Sequence, residues 1–277
     1  MSGLRREITD GAAILAAAGI DSARADAEQL AAHIAGVDRG LLSFVEPDAD
    51  FAPRYRGLID QRARRVPLQH LIGTAAFGPV TLTVGPGVFI PRPETEALLE
   101  WAHTVPVSGD GVIVDLCTGS AALALALAAH RPDARVIAVE RSQEALRYAR
   151  MNTEGSGVEL VHADVRQPGL LAELDGTVEL IVANPPYIPD DAVLEPEVAE
   201  HDPHQALFGG PDGMDVIVPI VGLAARLLRP GGQIGVEHDD TTSTATADVF
   251  ARRGAFDGIT ARRDLTGRPR FVTAVRS

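Results

Sequence analysis

The segment Asn184-Pro185-Pro186-Tyr187 combines residue types that can hold a planar amide or amine. An asparagine side chain has one acceptor oxygen and two N–H donors, and a tyrosine offers a flat ring with a polar tip. Prolines stiffen the backbone and lack the N–H donor, and a residue before proline is held extended. The Pro185 carbonyl can therefore face a ligand together with the Asn184 side chain. The simpler alternative is a rigid turn after a strand.

Three acidic residues lie at or near the ends of apolar runs upstream of that segment. They are Asp115 in VIVDL (112–116), Glu140 in RVIAVE (135–140) and Asp164 in VELVHAD (158–164). Ligands of open α/β sheets bind at the carboxyl ends of the strands, so we expect the three acids to face one crevice. A carboxylate at the position of Glu140 can accept both hydroxyls of a ribose. Each acid taken alone could instead cap a helix, face solvent or belong to a turn.

A loop of small residues, Cys117 to Ala121, separates the first of these runs from a helical run. Small residues let a ligand approach the backbone, and a helix N-terminus favours negative charge. The loop lacks the G-x-G-x-x-G pattern of dinucleotide-binding proteins, which disfavours an NAD-dependent enzyme.

The elements that must position these residues follow from the alternation of apolar and helical runs after residue 92. This alternation predicts an α/β fold with a mostly parallel sheet covered on both faces. Further strands are expected at VELIVAN (178–184), GQIGVEH (232–238) and RFVTAVR (270–276). The last two are close enough in sequence to form an antiparallel edge.

The first part of the chain has a different pattern. It shows helical spacing and no strand-like alternation, which predicts a small helical bundle suited to docking or support. Gly78-Pro79 and Gly85-Pro86 then mark turns between residues that favour extended structure, which predicts a hairpin. We therefore expect a helical domain at 1–73, a hairpin linker at 74–90 and an α/β domain at 91–277.

Composition narrows the classes of function. The 277 residues carry 38 acidic and 25 basic side chains, a formal charge of −13, which argues against a broad nucleic-acid surface. The basic residues are all arginine, so no lysine-based mechanism applies. One cysteine excludes an internal disulfide, and the histidines lack metal-ligand spacing, so no metal is expected. The sequence has no apolar stretch of the length that a membrane helix needs, and its first residues lack the features of a signal peptide. We therefore expect a cytoplasmic protein.

Further motifs support a family assignment: VPLQHLIGTAAFG (66–78), FIPRPETE (89–96), GGPDGM (209–214) and LRPGG (228–232). With Asn-Pro-Pro-Tyr, they resemble the HemK/PrmC family of N5-glutamine methyltransferases over nearly the whole chain. The resemblance implies a helical substrate-docking domain joined by a hairpin to a class I, Rossmann-like methyltransferase domain with a seven-stranded mixed sheet. It implies S-adenosylmethionine (SAM) as methyl donor. The implied substrate is the glutamine of the Gly-Gly-Gln motif in bacterial class 1 peptide chain release factors, docked through the N-terminal domain, without sequence-specific nucleic-acid binding.

The resemblance also implies roles for individual residues. Glu140 would bind the ribose hydroxyls, Asp164 and Val165 would lie at the adenine, and Asn184 would contact both cofactor and substrate. The substrate amide would also be bound by Pro185, Pro186 and Tyr187. The residues implied along the methionine and ribose are Asp115, Cys117, Thr118, Gly119, Ser120 and Ala121.

Phe89, Arg92 and Glu94 are expected to wall or brace the substrate pocket. The alternative for these three residues is a structural turn with an Arg–Glu contact.

The cofactor loop departs from the family pattern Asp-Leu-Gly-Thr-Gly-Thr-Gly. Cys117 and Ala121 stand at glycine positions, and Glu140 replaces the usual aspartate. Ala121 is unstrained only if its φ is negative.

Two alternative functions remain at the level of sequence. An amino-methyltransferase acting on DNA or RNA adenine shares Asn-Pro-Pro-Tyr but is disfavoured by the acidic charge and by FIPRPETE. A decayed, non-catalytic relative would explain the altered loop but not the intact Asn-Pro-Pro-Tyr.

Overall fold

The computed structural model describes residues 3–277, which form two compact units. One unit contains residues 3–74 together with Leu194–His201, and the other contains Ala75–Val193 and Asp202–Ser277. Within residues 3–277, no helix is long and apolar enough to cross a membrane.

The first unit is helical, as its sequence pattern predicts. Its helices are α1 (Gly3–Ala17), α2 (Ala23–Ala35), α3 (Phe51–Ala63) and α4 (Leu68–Ile72), with a 3₁₀ helix at Arg39–Phe44. Leu4, Ile8 and Leu15 of α1 recur at helical spacing and are buried against α2 and α3. The buried Tyr55 hydroxyl donates to the carbonyl of Ala27 at 3.1 Å.

A buried ionic group lies inside this helical unit. The Arg62 guanidinium contacts the Asp26 carboxylate at 2.7 Å, and both side chains are about 5% exposed. Arg62 also contacts Glu197 at 2.7 Å, on the short helix Pro196–His201 that comes from much later in the chain. Removing one partner from such a group leaves a buried charge uncompensated. The ion pairs therefore explain why Leu194–His201 packs with the first unit.

The second unit is an α/β fold, which confirms the predicted class. The chain enters it through a hairpin of β1 (Thr74–Phe77) and β2 (Val80–Thr83) and continues into a seven-stranded mixed sheet. The strands of the sheet are β3 (Val112–Leu116), β4 (Arg135–Glu140), β5 (Glu159–His162), β6 (Val178–Ala183), β7 (Leu228–Glu237), β8 (Phe256–Arg263) and β9 (Pro269–Arg276). Their order in the sheet is β5-β4-β3-β6-β7-β9-β8. The helices are α5 (Glu96–Thr104), α6 (Ala122–His130), α7 (Gln143–Thr153), α8 (Pro196–His201, in the first unit), α9 (His204–Leu207), α10 (Ile217–Leu227) and α11 (Ser243–Arg253).

The sheet separates two apolar clusters, because successive residues of a strand point to opposite faces. Ile113 of β3 packs in the cluster that includes Leu98 and Trp101 of α5. Its neighbour Val114 packs in the cluster that includes Ile217 and Phe250 of α10 and α11. Covering both faces explains the continuous apolar runs of the central strands.

The sequence misses one strand of this sheet. β3 and β4 have the predicted bounds, and β9 pairs antiparallel with β7 as expected. β8 is an edge strand that pairs only with β9 among the described residues, and Phe256 is its only buried residue. Apart from the partly buried Ile259, its remaining residues are exposed, so it has neither an apolar run nor a clear alternation.

Candidate active site

The predicted acids and the Asn-Pro-Pro-Tyr segment lie at the carboxyl ends of adjacent parallel strands. Leu116 at the end of β3 pairs with Val139 of β4 on one side and with Ala183 of β6 on the other. Glu140 ends β4, and Asn184 follows β6 directly. The topology therefore brings the acids and the amide-holding segment to one edge of the sheet.

Asp115 is buried, and only one of its two carboxylate oxygens accepts hydrogen bonds among the described residues. Its Oδ2 accepts from the Thr118 hydroxyl at 2.5 Å and from the Ala124 N–H at 3.1 Å. Its Oδ1 is buried without a hydrogen-bond partner among residues 3–277. Burial raises the pKa of the Asp115 carboxyl to about 7. A carboxyl left in this state is stabilised in its charged form by any cation that reaches Oδ1.

Glu140 anchors the small-residue loop and does not face open solvent. One carboxylate oxygen accepts from the Gly119 N–H at 2.9 Å, and the other accepts from the Ser142 N–H at 2.7 Å. The residue is 8% exposed. Each oxygen keeps a further lone pair, so the carboxylate can still accept from hydroxyl groups.

The loop contains three left-handed residues at alternate positions: Cys117 (φ +63°), Gly119 (φ +59°) and Ala121 (φ +70°). Ala121 therefore has the positive φ that its side chain disfavours, at a cost of about 1 kcal/mol, and Cys117 shares this strain. Thr118 and Ser120, between these positions, are buried.

Asp164 forms a tight turn with Arg166. Its carboxylate accepts from the Arg166 backbone N–H at 2.9 Å and from the guanidinium at 2.9 and 2.6 Å. This interaction is the main cause that lowers the pKa of Asp164 to about 2. Val165, which follows, is buried. The structure thus shows the turn that the sequence left as the alternative, and a role for Asp164 and Val165 at an adenine stays a prediction.

Arg92 does not pair with Glu94 in its turn. Its guanidinium contacts the buried carboxylate of Asp202 and lies over the ring of Phe89, 5.1 Å from the ring centre. The Arg–Glu contact that the sequence left as the alternative is therefore not the one that forms, because a buried carboxylate from a distant segment is the partner of Arg92. Glu94 lies instead where its charge raises the pKa of the Glu237 carboxyl.

Asn184 is held by a residue that the sequence analysis did not single out. Its Nδ2 donates to the hydroxyl of Thr95 at 3.1 Å. Thr95 is buried in the FIPRPETE segment, just before α5. Gly235 of β7 allows α5 to pack close to the sheet, because a Cβ there would lie 2.5 Å from the Trp101 ring.

Tyr187 is held by a second residue missed from the sequence, Glu237 at the end of β7. The Tyr187 hydroxyl donates to Glu237 Oε1 at 2.9 Å. Burial raises the pKa of the Glu237 carboxyl to about 7, and burial raises the pKa of the tyrosine well above its usual value. The signal was available, since Glu237 is an acid at the end of an apolar run, as Glu140 is.

The backbone of the Asn-Pro-Pro-Tyr segment is clamped by the GGPDGM motif (209–214). The Tyr187 N–H donates to the Leu207 carbonyl at 3.1 Å. A Cβ on Gly209 would lie 2.6 Å from the Pro186 oxygen, and one on Gly213 would lie 2.2 Å from the Tyr187 oxygen. Only glycine permits this approach, so the motif fixes the direction of the carbonyls in the segment.

Comparison with known proteins adds two family matches. The PrmC N-terminal domain matches residues 8–73, and the methyltransferase small domain matches residues 80–201. The release factor glutamine methyltransferase of Mycolicibacterium smegmatis is 64% identical over 277 residues, which is 100% of this chain and 99% of that protein. The protein of the same name from Mycobacterium tuberculosis is 63% identical over 278 residues, covering 99% of this chain and 91% of that protein.

Among solved structures, a methyltransferase from Pyrococcus furiosus has the same fold. It is 20% identical, with a TM-score of 0.55, and the match covers 78% of this chain and 98% of that one.

Proposed function

Because this chain belongs to the release factor glutamine methyltransferases, we propose that it methylates the side-chain nitrogen (N5) of the glutamine in the Gly-Gly-Gln motif of bacterial class 1 release factors. The methyl donor is SAM, and the modification would modulate translation termination. The observation that carries the proposal is the pairing of Leu116 with Ala183. Through this pairing Asp115, near the end of β3, lies close to Asn184, which follows β6, so an acid that suits a cationic cofactor is near an asparagine that suits an amide.

The loop residues fit the charge and shape of SAM. The cofactor carries a sulfonium and an ammonium group. Asp115 of β3 and Glu140 of β4 lie beside the loop, and Asp115 has a buried oxygen without a hydrogen-bond partner among residues 3–277. A Cβ on Gly119 would have no atom within 4 Å, so there is open space beside the Gly119 backbone that a ligand could occupy. When bound, SAM supplies a methyl group that is activated by the positive sulfur.

Three parts of the chain would bind the cofactor. We assign Asp115 and the loop Cys117 to Ala121 to its methionine and ribose side, and Glu140 to its ribose hydroxyls. Asp164 and Val165 are assigned to its adenine. Burial of Asp115 and Glu140 in a region of low dielectric strengthens their attraction for a cation.

The Asn-Pro-Pro-Tyr segment would position the substrate amide. An amide nitrogen is a poor nucleophile, so catalysis consists mainly of holding it in line with the methyl group at near-attack distance. The Asn184 side-chain oxygen and the Pro185 carbonyl would accept the two amide N–H groups. Acceptors in these places also stabilise the positive charge that develops on nitrogen. The Tyr187 ring would pack on the amide plane, and the proton would leave to water after transfer.

The remaining assignments belong to the same proposal. We assign residues 1–73 to docking of the release factor, 74–90 to a linker and 91–277 to methyl transfer. Phe89, Arg92 and Glu94 would brace the substrate pocket. A cytoplasmic location follows from a substrate that works in protein synthesis.

The proposal is tested by supplying labelled SAM with each candidate acceptor. Unmethylated class 1 release factor, DNA and RNA are incubated separately with the protein, and transfer of label is counted. We expect label on the release factor alone. Label on nucleic acid alone would favour an adenine amino-methyltransferase, and SAM binding without any transfer would require another acceptor.

Gly119→Ala is expected to weaken SAM binding about tenfold, which corresponds to about 1.4 kcal/mol. The added methyl group would project into the open space of the loop and strain a left-handed residue. Gly157→Ala is the matched control, because Gly157 also has a positive φ (+80°) and open space around it. Each change should cost about 1 kcal/mol of folding stability. Titration calorimetry and thermal unfolding separate the effects, and equal SAM affinities of the two variants would contradict the assignment of the loop.

A further inference from the structure

The segment of residues 202–208, which contains α9, has no role in the mechanism above but contacts three parts of the candidate site. It contains one turn of helix, in which the Phe208 N–H donates to the His204 carbonyl at 3.1 Å. A single helical turn is not stable on its own in water. The position of the 202–208 segment therefore depends on the residues that it contacts.

The end of the 202–208 segment holds the backbone that follows the two prolines of Asn-Pro-Pro-Tyr. The Leu207 carbonyl accepts from the Tyr187 N–H at 3.1 Å and from the Ile188 N–H at 2.9 Å. Because proline has no N–H, Tyr187 is the first residue after Asn184 whose backbone can donate a hydrogen bond. The position of Leu207 therefore fixes the backbone of the motif that we assign to the substrate amide.

The start of the segment is held by a buried ion pair. The Asp202 carboxylate, which is 1% exposed, contacts the guanidinium of Arg92 in the FIPRPETE motif. Arg92 in turn lies over the ring of Phe89. Asp202 and Leu207 are both buried, so the two ends of the segment are anchored by packing.

The middle of the segment is attached to the cofactor side by one side chain. Gln205 Nε2 donates to Ser142 Oγ at 2.9 Å. The Ser142 N–H donates to Glu140 Oε1 at 2.7 Å, and the Ser142 hydroxyl caps α7 by accepting from the Ala145 N–H at 3.3 Å. Gln205 therefore joins the segment to the turn that carries Glu140, the carboxylate that we assign to the ribose hydroxyls.

We propose that Gln205 is a positioning residue that couples the two ligand sites. Through Ser142 it holds the 202–208 segment, and with it the Tyr187 backbone, in the arrangement that receives the substrate amide. A ligand whose hydroxyls bind Glu140 orders the turn that Gln205 contacts, so part of the ordering entropy is lost before the release factor binds. The consequence is positive coupling between cofactor and release factor, equal in both directions. This coupling rests on the proposed function, whereas the attachment of the Tyr187 backbone can be measured without either ligand.

Gln205→Met tests the attachment, because methionine keeps the length of the side chain and lacks the N–H donors. Gln205 is exposed, so the change should not open a cavity in the protein. Gln233→Met is the matched control, since Gln233 of β7 makes no side-chain hydrogen bond within residues 3–277. Ser142→Ala removes the acceptor of the same hydrogen bond.

The first readout is solvent exchange of backbone amides in the ligand-free protein. The chain has three tyrosines, so ¹⁵N-labelled tyrosine gives three backbone signals in NMR, and Tyr55 of α3 is the internal reference. We expect Gln205→Met to speed the exchange of the Tyr187 N–H about fivefold, the factor that corresponds to one hydrogen bond of about 1 kcal/mol. Gln233→Met should leave it unchanged. In a Ser142→Ala background, Gln205→Met should add less than about twofold, because the acceptor is already absent. Equal Tyr187 exchange in Gln205→Met and in the wild type would overturn the proposal.

The second readout is the affinity for release factor with and without S-adenosylhomocysteine, the reaction product, which binds without transferring a methyl group. In the wild type and in Gln233→Met we expect the product to raise that affinity about fivefold, and release factor to raise the affinity for the product by the same factor. In Gln205→Met this factor should fall below about twofold. A wild type without coupling, or Gln205→Met with the coupling of the wild type, would also contradict the proposal.

Kinetics separate this proposal from the proposed function. At saturating SAM, Gln205→Met should raise the KM for release factor about fivefold and leave kcat within about threefold of wild type. If the wild type methylates no release factor, the proposed function fails, and the Tyr187 exchange still decides whether Gln205 holds the backbone of the motif.

Discussion

Replacing Asn184 with alanine is expected to lower kcat for release-factor methylation about a thousandfold, with a much smaller loss of SAM affinity. The variant loses the side-chain oxygen that accepts an N–H of the substrate amide, and with it both the in-line placement of the nitrogen and the stabilisation of its developing charge. The loop that is assigned to the cofactor makes no hydrogen bond to the Asn184 side chain among those described, so binding of SAM should persist. Single-turnover kinetics and calorimetry measure the two quantities separately.

Asn152→Ala is the control for this variant. It removes the chain's other asparagine, whose side chain donates to the carbonyls of Thr83 and Ser120 and accepts from the Thr83 N–H, so it should lower stability by about 1 kcal/mol per bond. Its kcat at saturating SAM should stay within about threefold of wild type, since Asn152 touches the cofactor loop only at the Ser120 carbonyl and no step of the methyl transfer uses it. If Asn184→Ala retained the kcat of Asn152→Ala, the assigned role of the Asn-Pro-Pro-Tyr segment would be wrong.

The second large effect concerns Asp115. Asp115→Asn should weaken SAM binding about a hundredfold, because it removes a buried negative charge that faces a cationic ligand. The asparagine oxygen can keep the bonds from Thr118 and Ala124, so the loop should stay in place. In the wild type, SAM affinity should rise with pH up to about 7, where the carboxyl ionises. Asp115→Asn should lack this pH dependence.

The folding stability of the ligand-free protein should depend on pH in the opposite direction to the SAM affinity. Asp115 has a folded-state pKa of about 7, against an ordinary value of 3.8, so the folded protein binds more protons than the unfolded chain between these values. This carboxyl therefore makes the ligand-free protein less stable as pH rises from about 4 to about 7. Asp115→Asn should accordingly be more stable than wild type at about pH 8 and lose that advantage at about pH 5. A variant that binds SAM like wild type, or that gains stability only in acid, would contradict this account.

The sequence predicted most of what positions the site, for a physical reason. Central strands such as β3 and β4 are buried on both faces, so their apolar runs are unambiguous. The acids that end such runs lie at one edge by topology alone. β8 was missed because an edge strand with one buried residue has little apolar signal.

The contacts between distant segments could not be predicted in the same way. Arg92 could pair with Glu94 or with any acid brought near by the fold, and only the packing selects Asp202. The link from Asn184 to Thr95 spans 89 residues. The sign of φ at Ala121 depends on the backbone path of the loop, and an alanine in the sequence does not indicate a positive φ.

The central claim is that the methyl group reaches the glutamine of the Gly-Gly-Gln motif. Its most direct test is tandem mass spectrometry of an unmethylated class 1 release factor after incubation with SAM and the wild-type protein or Asn184→Ala. We expect one added methyl group on that glutamine side chain with the wild type, and none with the variant in the same time. A methyl group on another residue, or equal methylation by both proteins, would contradict the account.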